Sequence, residues 1–342
     1  MTPPADQVTT RLGHYSRLVA VAMTEFLGPG EPSPYLYDLV REYPSRAGKG
    51  VRPALLLATC QAFGRPSDEA LGAAVALEML HNAFLIHDDV EDQSALRRGN
   101  PTLHELHGIG LAVNAGDSLA HLAMQPLIDD RALSTRLKER LVAELLMVVR
   151  QTTEGQALDL GWRRDSVVDL DPAAYLTMAG KKTCWYSTVA PLRMGAIIGS
   201  SGTAQLHALS RFGFFLGVAF QIRDDLLDLK GGSGSGKEPF GDLREGKPTL
   251  MLIHLLATAD GDDRRWLVDY LHAAPSGSSS EGACRVHDLM VRYGSLTYAR
   301  DFAAAMEVEA HRAFGKAFSA VGDSEHLGFL RGMIPYMLAR QS

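Results

Sequence analysis

The sequence predicts an all-α protein, a single large helical bundle around a central apolar cavity. Apolar residues recur at three- and four-residue spacing through most of the 342-residue chain, which is the spacing of one helix face. Alternating β-branched runs, which would supply a sheet, are nearly missing. With 46% hydrophobic and 22% charged residues, the chain has enough apolar material for a large core. We expect one domain over residues 1–342, with residues 1–10 as a flexible tail.

The predicted helices are rich in Ala, Leu, Met and Glu. In chain order they cover residues 12–27, 51–63, 68–93, 117–128, 136–159, 172–199, 203–230, 247–258, 263–272, 284–293, 295–320 and 325–341. Asp171 suits the N-cap of the helix that starts at Pro172, because proline is tolerated in a first helical turn. The Gly/Ser run 231–236 and residues 273–283 interrupt the pattern and are predicted loops.

Charge and composition exclude several classes of protein. A net charge of −6 argues against a nucleic-acid partner, which usually meets a basic face. The N-terminus has no apolar signal-peptide segment, and the most apolar stretches, 71–86 and 212–222, are too short to span a bilayer. The cysteines are too few and scattered for a disulfide framework or a zinc site, and predict reduced thiols in a cytoplasmic protein: Cys60, Cys184 and Cys284.

A short acidic motif occurs twice, each time after a strongly apolar helical run. Asp88-Asp89-Val90-Glu91-Asp92 is the first copy and Asp224-Asp225-Leu226-Leu227-Asp228 the second. The first and last aspartates of each copy are i,i+4 neighbours and share a helix face. One such cluster would be read as a solvated helix end, but two copies after apolar runs predict a cavity with carboxylates on both sides. Mg²⁺ prefers such a site, with a few carboxylates, water and substrate phosphates.

Basic residues accompany the acids. Gly48-Lys49-Gly50-Val51-Arg52-Pro53 opens a helix, where backbone N–H groups favour anions. The others are Arg97, Arg98, Lys181, Lys182, Lys237 and Lys247. Each one alone is more simply a surface charge. Together with the acids they predict a site for two diphosphates, one held through metal ions and one by direct ion pairs.

In this order the motifs resemble the trans-isoprenyl diphosphate synthase (polyprenyl synthetase) family, and within it geranylgeranyl diphosphate synthases. The resemblance runs from about Gly48 to Leu255. Its elements are the Gly48–Pro53 motif, the first acidic motif with Arg97-Arg98-Gly99, Gly155-Gln156 with Asp159, Lys182-Thr183, Phe220-Gln221 before the second acidic motif, and Gly246-Lys247-Pro248-Thr249.

The resemblance implies a helical fold of the isoprenoid synthase type and a role for each matching residue. Lys49, Arg52, His81 and Arg98 would hold isopentenyl diphosphate. Arg97, Lys182, Lys247 and Lys237 would bind the allylic diphosphate, which is dimethylallyl, geranyl or farnesyl diphosphate. Asp88, Asp92 and Asp224 would bind Mg²⁺ directly, three ions per site, with Asp89, Asp225 and Asp228 supporting them. Thr183 and Gln221 would line the reacting centre, and the partner would be a second copy in a homodimer.

The resemblance also suggests a product length. The growing chain would run past Ala83 and Phe84, five and four residues before Asp88, and a small residue followed by an aromatic one is compatible with a C20 product. Two departures from the family pattern stand out. Gly50 occupies a place that often carries arginine, and Cys184-Trp185 replaces smaller residues, which is expected to reshape the allylic pocket.

Three other functions compete with this one. A class I terpene cyclase would share the bundle and one acidic motif, but would lack the set Lys49, Arg52 and His81 for a second diphosphate. A metal-dependent phosphohydrolase is suggested by His87-Asp88, but leaves the second acidic motif unexplained. A non-catalytic subunit of a heteromeric synthase typically loses acidic or basic site residues, and here all are present.

Overall fold

The computed structural model describes residues 4–46, 48–229, 240–273 and 280–339, and these form a helical bundle that confirms the all-α prediction. The α-helices are α1 (Ala5–Leu27), α2 (Asp38–Ser45), α3 (Val51–Ala62), α4 (Leu71–Glu91), α5 (Leu103–His107), α6 (Ile109–Leu122), α7 (Gln125–Ile128), α8 (Thr135–Arg164), α9 (Pro172–Ala179), α10 (Ala190–Gly199), α11 (Leu206–Asp228), α12 (Gly241–Arg244), α13 (Leu250–Thr258), α14 (Gly261–Ala273), α15 (Ser280–Arg292), α16 (Ser295–Ala317) and α17 (Glu325–Leu338). Strands β1 (Leu96–Arg97) and β2 (Asn100–Pro101) form a short antiparallel hairpin.

Other helix types fill three connections. A 3₁₀ turn at Ser67–Ala70 precedes α4, and π-helical turns occupy Ser33–Tyr37 and Gly180–Val189. The second π-helical segment lies in the middle of the predicted 172–199 helix and joins α9 to α10 without a break. Wider π turns are uncommon and are often found at functional sites.

The N-terminus differs from the sequence prediction. Helix α1 begins at Ala5, so residues 5–10 are helical and the prediction of a tail over residues 1–10 is wrong for them. The physical reason is an apolar stripe in which Val8, Leu12 and Tyr15 are all buried. Because these residues recur at three- and four-residue spacing, the first turns of α1 face the core.

Helix α11 packs against α16 and the π-helical segment. The buried apolar side chains fall into two clusters, and α11 contributes to both. Phe212 and Leu216 belong to one cluster, and Val218 and Ile222 to the other. Helix α11 therefore carries apolar contacts to both clusters before it ends in the second acidic motif.

The helical run Ser67–Glu91 would be long and apolar enough to cross a membrane, with a mean hydropathy of 1.3 over its most apolar window. The apolar stretch 71–86 is part of this longer run, because the 3₁₀ turn and the rest of α4 extend it. Two thirds of that window (67%) is buried inside the protein, as in the core helix of a globular fold. The run also ends in the first acidic motif, which a bilayer core would disfavour.

Candidate active site

Each acidic motif lies at the C-terminal end of a long helix. Asp88 lies in the last turn of α4 with Asp92 as its C-cap, and Asp224 and Asp228 close α11. The side chain of Asp92 is only 3% exposed, whereas Asp224 is exposed. Carboxylates this close together repel one another, so nearby cations are needed to stabilise both helix ends.

Lys247 connects the two motifs. Its Nζ lies 3.1 Å from Asp92 Oδ2 and 3.3 Å from Asp242 Oδ1. The backbone N–H of Asp242 in turn donates to Asp228 Oδ2 at 3.0 Å. The acidic ends of α4 and α11 are therefore linked through Lys247 and Asp242 instead of facing opposite sides of the bundle.

Two more of the predicted basic ligands lie against the first motif. Arg97 donates through Nε to Asp89 Oδ1 at 2.8 Å and through a terminal nitrogen to Asp88 Oδ2 at 3.3 Å. Lys182 is paired with Asp159 and its Nζ lies 3.8 Å from Asp88 Oδ1. Cations of the chain thus balance the charge of the first motif from two sides.

Arg163 is a site residue that the sequence analysis missed. It donates to Asp92 Oδ1 at 2.7 Å, and its guanidinium lies 3.6 Å from both Asp159 Oδ2 and Glu245 Oε2. The available signal was its position four residues after Asp159, on the same face of α8. Its contacts with Asp92 and Glu245 come from distant parts of the chain and have no local signal.

The balance of burial and charge decides the ionisation of Asp92. Burial opposes the charged form, but Lys247, Arg163 and Lys182 together outweigh it and hold the pKa of Asp92 well below its usual range. Asp92 is therefore a carboxylate at neutral pH, the form that binds a cation.

Tyrosines hold the middle aspartate of each motif, and the sequence analysis missed both of them. The Tyr43 hydroxyl donates to Asp89, and both side chains are fully buried. The Tyr175 hydroxyl donates to Asp225 Oδ2 at 2.9 Å, while Gln221 donates to Asp225 Oδ1 at 2.7 Å. Asp89 and Asp225 are thus fixed by the chain, whereas the first aspartate of each motif is the more exposed.

A second cluster of cations lies at the start of α3. Arg52 Nη1 is 3.2 Å from His81 Nε2, and Arg52 Nη2 donates to Ser187 Oγ at 2.9 Å. Burial, and then the charges of Arg52 and two further arginines, lower the pKa of His81 well below its usual value, so this imidazole is neutral. The buried His81 Nδ1 has no hydrogen-bond partner among the described residues.

Arg98 and Lys49 complete this cluster. The guanidinium of Arg98 lies so close to Gly48 that a Cβ there would come within 2.9 Å of it. Lys49 and Gly50 directly precede α3. Burial is the main reason why the pKa of Arg98 is lowered. Several positive groups with few acids around them form an electropositive site at a helix N-terminus, which suits an anion.

The backbone conformation and the close packing at position 50 explain why the residue there is glycine. Its φ of +62° is left-handed, and a Cβ there would come within 2.6 Å of the side chain of Ser16 in α1. An arginine would be strained at this position and would collide with α1. The packing of α1 against this position therefore accounts for a glycine where the family often carries arginine.

The π-helical segment positions Lys182 and Thr183. Helix α8 approaches it so closely that a Cβ on Gly155 would lie 2.2 Å from the backbone nitrogen of Lys182. Cys184 is fully buried against Gly217 of α11, where a Cβ would meet its sulfur at 2.7 Å. Cys184 therefore fills the contact between two helical segments.

The remaining predicted site residues are the two chain-length residues and Lys237. Ala83 is fully buried and Phe84 is half-buried, with its ring edge-on to Tyr186 at a centroid distance of 5.8 Å. Lys237, and with it the Gly/Ser run 231–236, lies outside the described residues.

The donor set fits a divalent cation that is shared with a ligand. In the part of the chain that the structure describes, no three His, Cys, Asp or Glu side chains converge into a ready-made metal cage. Mg²⁺ rarely needs one, since it takes one or two carboxylates and completes its shell with water and phosphate oxygens. Burial, and then the charges of Asp242 and Asp224, raise the pKa of Asp225 well above its usual range, a repulsion that a cation would relieve.

Comparison with known proteins gives consistent matches. The family model for polyprenyl synthetase matches residues 33–284. The chain is 36% identical over 253 residues to a short chain isoprenyl diphosphate synthase of Methanothermobacter thermautotrophicus, covering 74% of this chain and 75% of the relative.

Two solved structures superpose on nearly the full length of this chain. A geranylgeranyl pyrophosphate synthetase from Pyrococcus horikoshii Ot3 superposes with a TM-score of 0.86 at 30% identity, over 98% of this chain and 99% of the other. A polyprenyl synthase from Caulobacter crescentus CB15, complexed with calcium and isoprenyl diphosphate, gives a TM-score of 0.83 at 26% identity, over 100% and 99%.

Proposed function

Because this chain belongs to the polyprenyl synthetase family and is a trans-prenyltransferase, we propose that it joins isopentenyl diphosphate head to tail to an allylic diphosphate and releases geranylgeranyl diphosphate. We treat residues 1–342 as one synthase domain. The observation that carries the proposal is the link between the two acidic motifs, which runs from Asp92 through Lys247 and Asp242 to Asp228. It is joined by a separate cluster in which the cations Arg52 and Arg98 accompany the neutral His81.

Family members use a divalent metal ion, and the proposal assigns Mg²⁺ to this site, three ions per chain. Asp88, Asp92 and Asp224 would hold it directly. Asp89, Asp225 and Asp228 would support them through water or hydrogen bonds. The bonds from Tyr43 to Asp89 and from Tyr175 to Asp225 favour this division, because a carboxylate already held by the chain is better placed to orient its neighbours.

When bound, the metal supplies positive charge against the leaving diphosphate as the allylic C–O bond ionises. Lys182, Lys247 and Arg97 would hold that diphosphate, and Lys237 is proposed as a fourth ligand. All three described cations already contact the first acidic motif, so charge is placed where it develops in the transition state.

The second substrate would be oriented by the other cluster. Lys49, Arg52, His81 and Arg98 would bind isopentenyl diphosphate so that its double bond attacks the carbocation. Thr183 and Gln221 would line the reacting centre. The proton then lost from the new bond would pass to the released diphosphate, so that no histidine or glutamate base is needed.

The direct test is consumption of isopentenyl diphosphate. Purified protein is incubated with labelled isopentenyl diphosphate and dimethylallyl, geranyl or farnesyl diphosphate, with MgCl₂ or EDTA, and the products are separated by chromatography. We expect a C20 product only with magnesium. A hydrocarbon or alcohol made without consuming isopentenyl diphosphate would instead identify a terpene cyclase. An absence of turnover with every primer would favour a non-catalytic subunit.

The product length rests on Ala83 and Phe84. Ala83 is fully buried and has no side chain beyond Cβ, so tyrosine at this position would fill space along the expected path of the chain. Ala83→Tyr should shorten the main product to C15. An unchanged product length, with the variant still folded, would show that this wall does not set the length.

We further propose a homodimer in the cytoplasm. Leu106, Ile109 and Val113 are exposed large apolar side chains on α5 and α6, of the kind that subunit contacts cover. Light scattering during size-exclusion chromatography gives the mass directly, and Ile109→Asp should halve it. The low cysteine count, three in 342 residues, favours a reducing compartment.

A further inference from the structure

Tyr186 is a residue of the π-helical segment to which the proposed function gives no role. Its ring contacts three residues to which the proposed function does give a role. The Arg52 guanidinium carbon lies 4.5 Å from the ring centroid, and the His81 ring is stacked on it at 5.7 Å with an interplanar angle of 27°. Phe84 meets it edge-on at 5.8 Å and 73°. One ring thus contacts both the second cation cluster and the expected chain-length wall.

Resting on the proposed function, we propose that Tyr186 positions Arg52 for the isopentenyl diphosphate and, through Phe84, helps to set the length of the product. It is a positioning residue, because it acts through Arg52 and Phe84.

The orientation of Arg52 is determined by three contacts. His81 and Ser187 bind its terminal nitrogens, and the Tyr186 ring lies against its guanidinium plane. A cation held over an aromatic face keeps its hydrogen-bonding nitrogens available at the edge, where a diphosphate can reach them. Without the ring, Arg52 keeps two contacts but gains freedom to turn, which weakens anion binding.

The contact with Phe84 connects this role to product length. An edge-on aromatic pair fixes the plane of both rings. If the Tyr186 ring is removed, Phe84 can tilt into the vacated space, and a longer prenyl chain fits beside it. The same substitution should therefore weaken isopentenyl diphosphate binding and lengthen the product.

The test compares Tyr186→Leu with Tyr186→Phe. Leucine keeps an apolar side chain without the ring, and phenylalanine keeps the ring. The control is Phe215→Leu, which removes the ring from another arginine–aromatic pair, with Arg211 at 5.5 Å, on α11. Isothermal titration with isopentenyl diphosphate alone measures binding without turnover, and chromatography after incubation with geranyl diphosphate measures product length.

Tyr186→Leu should raise the Kd for isopentenyl diphosphate about tenfold. It should leave the KM for geranyl diphosphate within twofold of wild type and add at least one five-carbon unit to the product. Tyr186→Phe and Phe215→Leu should match wild type in all three. A Kd within twofold of wild type in a folded Tyr186→Leu protein would overturn the positioning role, and an unchanged product would overturn the role in length. A wild-type protein that binds isopentenyl diphosphate but never consumes it would refute the proposed function, while the comparison of Kd values would still decide the role of Tyr186.

Discussion

Replacing Lys247 by methionine tests how the two acidic motifs are held together. The Nζ of Lys247 lies 3.1, 3.3 and 2.8 Å from carboxylate oxygens of Asp92, Asp242 and Glu245. Methionine keeps much of the apolar stem and removes the charge, so that three partly buried carboxylates lose a shared partner. Removing one member of a buried ion pair costs about 3–5 kcal/mol, and we take about 3 kcal/mol because Lys247 remains partly exposed.

The expected change in Tm follows from the size of the chain. An unfolding entropy of about 2.1 cal/mol/K per residue gives roughly 0.7 kcal/mol/K for the whole protein. A loss of about 3 kcal/mol therefore lowers the Tm by about 4 °C, measured by scanning calorimetry in EDTA. Lys316→Met is the matched control, since Lys316 is exposed on α16 and its replacement should leave the Tm nearly unchanged.

Magnesium separates the effect of charge from a packing defect. Added MgCl₂ should raise the Tm of Lys247→Met more than that of wild type, because a divalent cation replaces the missing positive charge beside Asp92. Turnover should stay low even with magnesium, since Lys247 is also a proposed ligand of the allylic diphosphate. An unchanged Tm in EDTA, or a lowered Tm that magnesium does not raise, would refute this account of the site.

Two further predictions concern buried groups. Burial, with nearby arginines, keeps His81 neutral in the folded protein, whereas the unfolded chain binds a proton at this residue below about pH 6.5. The contribution of His81 to stability should therefore fall as the pH drops from 7 to 5, by up to about 1.4 kcal/mol per pH unit. In urea titrations at pH 7 and 5, His81→Gln should lose this part of the pH dependence and the exposed control His207→Gln should keep it. Gly155→Ala should destabilise the protein by about 1–3 kcal/mol and reduce kcat, because its Cβ would lie 2.2 Å from the backbone of Lys182. Gly161→Ala, in the same helix with nothing within 4 Å, should be neutral or stabilising by up to about 1 kcal/mol; equal losses in the two variants would contradict the proposed steric cause.

The sequence predicts well those features that depend on neighbours within a few turns. Helical spacing identifies most of the bundle, and the i,i+4 aspartates identify both acidic motifs before any contact is known. Helix α2 was missed because it is only eight residues long, with a proline near its end, so its apolar pattern is too brief to recognise. The sequence predicts a tail over residues 5–10 because the prolines and polar residues beside Val8 obscure the first turn of the apolar stripe.

The partners of the acids could not be predicted in the same way. Arg163 reaches Asp92 and Glu245 across many intervening residues, and Tyr43 reaches Asp89 from a helix that the pattern does not reveal. The local sequence around a tyrosine or arginine in an amphipathic stretch does not show whether its side chain will pair with a distant carboxylate or only pack against its neighbours. Only the tertiary fold decides which of these side chains meets a carboxylate.

These pairings have a consequence for the order in which charge enters the site. Lys247, Arg97 and Lys182, the described cations proposed to bind the allylic diphosphate, are already paired with acids of the chain. A diphosphate that arrives alone would compete with those carboxylates for the cations, and a metal ion that arrives alone would compete with the cations for the carboxylates. If both enter together, Asp88 and Asp92 would hold the metal in place of their contacts with Arg97 and Lys247, and these two cations would bind the phosphate oxygens in place of the aspartates. Since each group then keeps an opposite charge beside it, the site should bind a metal–diphosphate complex more tightly than either component by itself.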